Sequence, residues 1–286
     1  MFKEIAIEPA AIVGSYRDFA YIIEKFGVHE GRLIAAFPSK WKRFVFHAAQ
    51  ERLHGKVELA RLEVRLRALK DDMFYWRGRS GDGCAQDWLG TAITEHARVP
   101  FDAIIALAPS LVGGVVAADD LDGLHACLQP NRQWHIDRDA SVMARCCAPL
   151  LSSARHIKLI DPHFDLSQAR FRRPFLEFLK CARPGTRVDV FRGDNHGADF
   201  AAQRLAETLD AIQPDGVQVQ VFFQPQDTMH NRFVLTDAGG VYFLTGLDDK
   251  GNGELSTDEV GVLDPDVWAI QWGRFSDGQA VAVWQK

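Results

Sequence analysis

The chain contains no run approaching the roughly 18 consecutive apolar residues that a membrane-spanning helix requires, and its opening MFKEIAIEPA lacks the basic-then-apolar build of a secretory leader. A cytoplasmic protein with no transmembrane segment is expected. A basic surplus is also missing. The net charge of −5 and the pI near 6.1 argue against a surface given over to nucleic acid, so any such contact must be local. Cysteines are few and unmatched: Cys84, Cys127, Cys146, Cys147 and Cys181 are odd in number, two of them are adjacent, and none forms a CxxC pair. A disulfide framework is thereby disfavoured and reduced thiols are expected. The glycine-rich stretch RGRSGDG at 77–83 has neither the order nor the lysine of a P-loop and reads as a connector. His47 and His54 stand seven apart, too far along a helix to chelate one ion by themselves, and no metal or cofactor is expected. There is no internal repeat, low-complexity tract or coiled coil.

What is present is an ordinary globular composition, 47% hydrophobic and 25% charged over 286 residues, which favours two domains over one. The texture changes near residue 150. In residues 1–150 the patterning predicts an amphipathic helix over Ser15–Phe26, a strand over Gly31–Pro38 and one long helix from Lys40 to about Tyr75. A helix over Gln86–Ala97, strands at Pro100–Ala108 and Leu111–Ala118, a helix from Asp119 through Cys127 and another from Ser141 to Leu151 follow. Trp134–Asp137 reads as core edge and turn. Residues 151–286 alternate regularly between strands and helices. Strands are expected near 156–162, 187–191, 216–223, 230–236, 240–245, 259–263 and 280–284, with helices near 173–182, 198–212 and 267–275. The fold class is α/β: an N-terminal α/β region over 1–150, then a mixed sheet flanked by helices over 151–286.

One stretch of that second half concentrates chemistry: Met229-His230-Asn231-Arg232-Phe233-Val234-Leu235-Thr236-Asp237. On a strand, alternate side chains share a face, so His230 and Arg232 should project together. An imidazole beside a guanidinium suits phosphate: one transfers protons or attacks, the other binds phosphate oxygens. His163, at the end of the strand near 156–162, is expected to face the same pocket. His196, in the polar loop Asp194–Asp199 after the next strand, is a further pocket candidate, because α/β ligands bind beyond strand carboxyl ends. His156 and Lys158 read as outward residues of a buried strand, and Arg170, Arg172 and Arg173 form a small cationic patch.

Residues 154–286 resemble one lobe of the phospholipase D superfamily. Its His-x-Lys-x4-Asp signature is matched in spacing by His230, Arg232 and Asp237, with arginine in the lysine slot. Its Gly-Ser-x-Asn element corresponds to Gly246-Leu247-Asp248-Asp249, where only the glycine agrees. Glu259 opens an apolar strand as that family's late glutamate does, and Asp161-Pro162-His163-Phe164 is similar to its Asp-Pro-Tyr-Phe strand end. The resemblance implies a metal-independent phosphodiesterase, nuclease-type, working through a covalent phosphohistidine. It implies His230 as nucleophile or acid, Arg232 as phosphate anchor, Asp237 as support of the motif turn and Glu259 as orienter of the histidine. Gly246, Asp248, His163 and His196 fall to substrate binding. One motif per chain implies a homodimer with the site at its two-fold axis. The substrate implied is a phosphodiester, nucleic acid rather than lipid, and the setting that of an effector in a bacterial multi-protein system, with protein partners reached through residues 1–150. The departures at Arg232 and Gly246–Asp249 leave a second reading open: a catalytically degenerate module that binds a phosphate-bearing ligand or a protein partner.

Overall fold

The computed structural model describes all residues except 123–124, 195–196, 212–215, 251–255, 277 and 286. The chain is mixed α/β and divides into two compact units, Phe2–Asn131 and Arg132–Lys286.

The first unit contains β1 (Lys3–Ile7), α1 (Tyr16–Ile23), β2 (Arg32–Ala35), α2 (Trp41–Arg52), α3 (Lys56–Ala68), β3 (Phe74–Tyr75), α4 (Trp88–Arg98), β4 (Ala103–Ala106) and β5 (Val115–Ala117). Its strands form a parallel sheet in the order β3-β2-β1-β4-β5. A parallel sheet buries both faces, and the two faces of β1 enter different cores. Ile5 and Ile7 pack with Trp41, Val45 and Leu62, whereas Ala6 packs with Phe37, Trp88 and Ile104.

Two expectations fail in this unit. The long helix from Lys40 is two helices, broken where Leu53 and Gly55 take extended backbone. The break lets Leu62 and Leu66 reach the core that Val45 and Ala49 already occupy, and it leaves Val57 and Val64 exposed. An apolar count alone cannot see such a turn, because both halves keep helical spacing. Among the described residues of Asp119–Cys127 the expected helix does not form either; short 3-10 turns occur there, at Ala118–Asp120 and Ala126–Leu128.

The second unit contains β6 (Gln133–Asp137), α5 (Ala140–Ser153), β7 (His156–Ile160), α6 (Ala169–Cys181), β8 (Arg187–Gly193), α7 (Ala198–Leu209), β9 (Gln218–Gln224), β10 (Arg232–Thr236), β11 (Gly239–Phe243), β12 (Thr257–Val262), α8 (Pro265–Arg274) and β13 (Ala282–Gln285). The eight strands run in the order β13-β9-β8-β7-β10-β11-β12-β6. Strands β7, β8 and β9 are parallel neighbours and the other pairings are antiparallel, so the sheet is mixed.

This unit begins at Arg132, not near 150. Trp134–Asp137, expected as core edge and turn, is strand β6 paired along β12, and α5 packs on α6, so both elements belong to the later sheet. One sheet face puts Ile160, Phe191, Phe222, Phe233 and Leu235 under Trp268, Trp272 and Phe275 at α8. Lys158, expected to point outward, is buried on that face. Its Nζ donates to the Trp272 oxygen at 2.8 Å and lies 3.9 Å from the indole centroid. The opposite face carries Val234, Leu159 and Val190, and there the Phe243 ring meets Phe178 of α6. Among the described residues no helix is long and apolar enough to cross a membrane.

Candidate functional site

Strand order and direction bring five chain segments to one edge of the second sheet. Antiparallel pairing of β10 with β7 sets the start of β10 beside the end of β7, at Phe233 and Ile160. Pairing of β10 with β11, β11 with β12 and β12 with β6 carries the same edge across Phe243, Val260 and Trp134. The loops leaving that edge line a cleft of about 360 Å³, formed by Arg138, Asp161, His163, Arg170, Phe171, Arg232, Thr245 and Asp248.

Three guanidinium groups and two carboxylates face one another there. Asp248 is held by Arg138 Nη2 at 2.8 Å and by Arg170 Nη1 at 3.4 Å, and Arg138 Nη2 also donates to its backbone oxygen. Asp161 ties two turns together: one carboxylate oxygen accepts the His163 N–H, the other the Leu247 N–H, both at 2.8 Å. Burial pushes the Asp161 carboxyl above its ordinary value; the two amide bonds and Arg232 pull it back only in part. Gly246 is the residue that lets these acids approach, since a Cβ there would lie 2.5 Å from Asp248 Oδ1 and 3.3 Å from Asp161 Oδ2. Thr245 is fixed by Asp258, whose Oδ1 accepts from its N–H at 2.9 Å and its hydroxyl at 3.0 Å. Asp249, next in the chain, forms a two-pronged ion pair with Arg173 at 2.5 and 2.6 Å.

Arg232 differs from Arg138 and Arg170 in forming no ion pair among the described residues. Its Nη1 donates to the His230 backbone oxygen at 3.1 Å, and its buried Nε has no hydrogen-bond partner. A buried donor left unmatched costs about 1–3 kcal/mol, so its position at the cleft marks a place where an acceptor group belongs. His163 lines the same cleft, with Nδ1 3.5 Å from Gln226 Nε2.

The expected site residues separate on this geometry. Arg232, His163 and Asp248 converge on the cleft, and Gly246 shapes it. His230 precedes β10, is exposed and does not line the cleft; the expected shared strand face with Arg232 fails because the strand begins only at Arg232. Glu259 does not orient His230. The register sets Val260 and Asp258 on the Arg232 face and Glu259 on the other, where its carboxylate meets His135 Nδ1 at 2.8 Å, both side chains more than half exposed. Asp237 lies just past the far end of β10, five residues or roughly 17 Å of strand from Arg232, and accepts the Arg155 N–H at 3.2 Å. His196 lies outside the described residues.

Arg138, Asp161 and Thr245 were not singled out as site residues, and Arg170 was visible only as part of a cationic patch. Asp161 had a signal, its place before Pro162 at a strand end. Arg138 has none, because the five residues of β6 before it carry too little pattern to mark a strand. The cysteines offer no alternative chemistry, since burial pushes Cys84 and Cys146 up to about 11 and raises Cys127, Cys147 and Cys181. Among the described residues no group of three or more His, Cys, Asp or Glu could hold a metal ion.

No family model matches the chain, and no curated protein matches its sequence. Among solved structures it is similar to TrmBL2, an archaeal chromatin protein that binds DNA, at 12% identity, over 94% of this chain and 88% of that one, with a TM-score of 0.30. A similarity that low carries no argument about this chain.

Proposed function

We propose that the unit from Arg132 is a phospholipase-D-like module whose cleft binds a phosphate ester, with Arg232 as the phosphate anchor and His163 beside it. The observation that supports this most directly is the buried, unmatched Arg232 Nε in a cleft shared with two further guanidinium groups. Guanidinium N–H groups match phosphate oxygens in charge and geometry. Calorimetric titration of the full chain with dimethyl phosphate tests the reading. A charge-assisted hydrogen bond is worth about 1.5–3 kcal/mol, so Arg232→Ala should weaken binding by about tenfold to a hundredfold while the thermal midpoint does not fall, the unmatched donor being removed with the side chain. Equal affinity in the two proteins would reject Arg232 as the anchor.

A second reading, metal-independent phosphodiester hydrolysis of the nuclease type, is favoured by the imidazole of His163 in that cleft. Such a reaction needs one imidazole to attack phosphorus and another to protonate the leaving oxygen. The second would come from His230 or from another copy in a homodimer. Its signature would be EDTA-resistant cleavage of a phosphodiester that is lost in His163→Ala. Wild-type cleavage unchanged by His163→Ala would exclude that residue. A cytoplasmic setting, nucleic acid as substrate and protein partners reached through residues 1–150 belong to this proposal.

A further inference from the structure

The Arg138–Asp248–Arg170 cluster points to a charge rule for the ligand, resting on the phosphate reading above. With both carboxylates ionised, the cleft carries three guanidinium charges against Asp161 and Asp248, a net of 3 − 2 = +1. Two of the three cations are already engaged by Asp248, at 2.8 and 3.4 Å, and Arg232, whose buried Nε is unmatched, is the one that forms no ion pair among the described residues. Asp248 is itself only 7% exposed and is packed where Gly246 has no side chain, so it is a built part of the cleft rather than a mobile surface acid.

We infer that Asp248 is a specificity-determining residue: by engaging Arg138 and Arg170 it sets the cleft to accept a singly charged anionic group and to disfavour a doubly charged one. A monoanion at Arg232 leaves no charge uncompensated. A dianion brings a second negative charge next to Asp161 and Asp248 with no free guanidinium to meet it. That charge must lose water without gaining a partner, which is the costly case for a buried ion. The ligands disfavoured by this rule are terminal phosphomonoesters and polyphosphates.

Methyl phosphate and dimethyl phosphate, titrated calorimetrically into the full chain, test the rule. Phosphomonoesters lose their second proton near pH 6, while dimethyl phosphate stays a monoanion. Between about pH 5 and pH 8, wild-type affinity for methyl phosphate should fall relative to dimethyl phosphate. The same ratio measured in His163→Gln, whose side chain cannot change charge, shows whether the fall belongs to the ligand, because a charge change in the cleft weighs about twice as heavily on a dianion as on a monoanion. In Asp248→Asn the gain should scale with ligand charge, as Coulomb energy does: about fivefold for dimethyl phosphate and about twenty-five-fold for dianionic methyl phosphate. A wild-type ratio that rises with pH, or equal gains for the two esters in Asp248→Asn, overturns the rule and leaves the phosphate site standing. No binding of either ester to the wild type removes both. If Asp248→Asn fails to fold, the wild-type pH series alone decides.

Discussion

Each unit buries a cluster of arginines and acids, and the two clusters differ in whether their hydrogen bonds are used up. In the first unit Arg79 sits between Glu4 and Glu95 with every N–H engaged: Nε and Nη2 on the Glu4 carboxylate, Nη1 on Glu95 and the Val99 oxygen, Nη2 also on the Pro100 oxygen. Its guanidinium is also stacked 3.8 Å from the Phe101 ring centroid. That cluster is closed and explains itself as structure. The second unit's cluster opens on a cleft and leaves an Arg232 donor without an acceptor. Buried charge by itself therefore says little about function; unmatched hydrogen-bonding capacity beside a cavity says more.

The comparison breaks first if the closed cluster turns out to be functional. Removing one partner of a buried ion pair costs about 3–5 kcal/mol, because the other is left as an uncompensated charge. Arg79→Met should therefore destabilise the first unit by that amount, read as faster amide exchange in β1 and β4 with β7 and β10 unchanged. Binding of dimethyl phosphate should not move. Loss of ester binding with normal exchange would reverse the roles assigned to the two clusters.

Gly246→Ala sharpens the other side. Its Cβ would press on Asp248 Oδ1 at 2.5 Å, an overpacking that costs about 1–3 kcal/mol and displaces the carboxylate that neutralises Arg138 and Arg170. The variant should lose stability and also change its preference between methyl and dimethyl phosphate. Gly273→Ala in α8, where a Cβ meets nothing within 4 Å, should instead gain about 0.5–1 kcal/mol and leave the ester preference alone. Urea midpoints and ester titrations of the two variants separate a shaped cleft from generic packing.

The sequence revealed the alternation of the second unit because each strand there is short, apolar and bounded by turn residues, as at Pro184-Gly185 and Asp237-Ala238-Gly239. It also located Arg232, His163, Asp248 and Gly246. It misassigned Glu259, because whether Asp258 or Glu259 faces Arg232 depends on a cross-strand register that spacing along one strand does not set. It missed Arg138 for a related reason: β6 is added to the sheet's edge from far upstream, and a five-residue strand reading Gln133-Trp-His-Ile-Asp137 has too little pattern to announce itself. The closed Arg79 cluster was equally hidden, since Glu4, Arg79 and Glu95 are brought together only by the fold.

The smallest expected effect sets a closed and an open acid against each other within the second unit. Asp189, on the α8 face, is pushed up by burial but pulled further down by hydrogen bonds from His156 at 2.7 Å and Arg187 at 2.8 Å, so its carboxyl lies below the ordinary 3.8. Asp161, at the cleft, lies above 3.8 because burial dominates. The signs follow from which state holds the proton more tightly. Asp189 contributes stability that is present above pH 3.8 and is lost as the pH falls through its folded value. Asp161 does the reverse: the folded state gains stability as the pH falls from its raised value toward 3.8. In urea titrations between about pH 6 and pH 3, Asp189→Asn should flatten the acid loss of the unit, and Asp161→Asn should steepen it. If both substitutions shift the acid limb the same way, the two carboxylates are not in opposite electrostatic settings and the division between closed and open clusters fails.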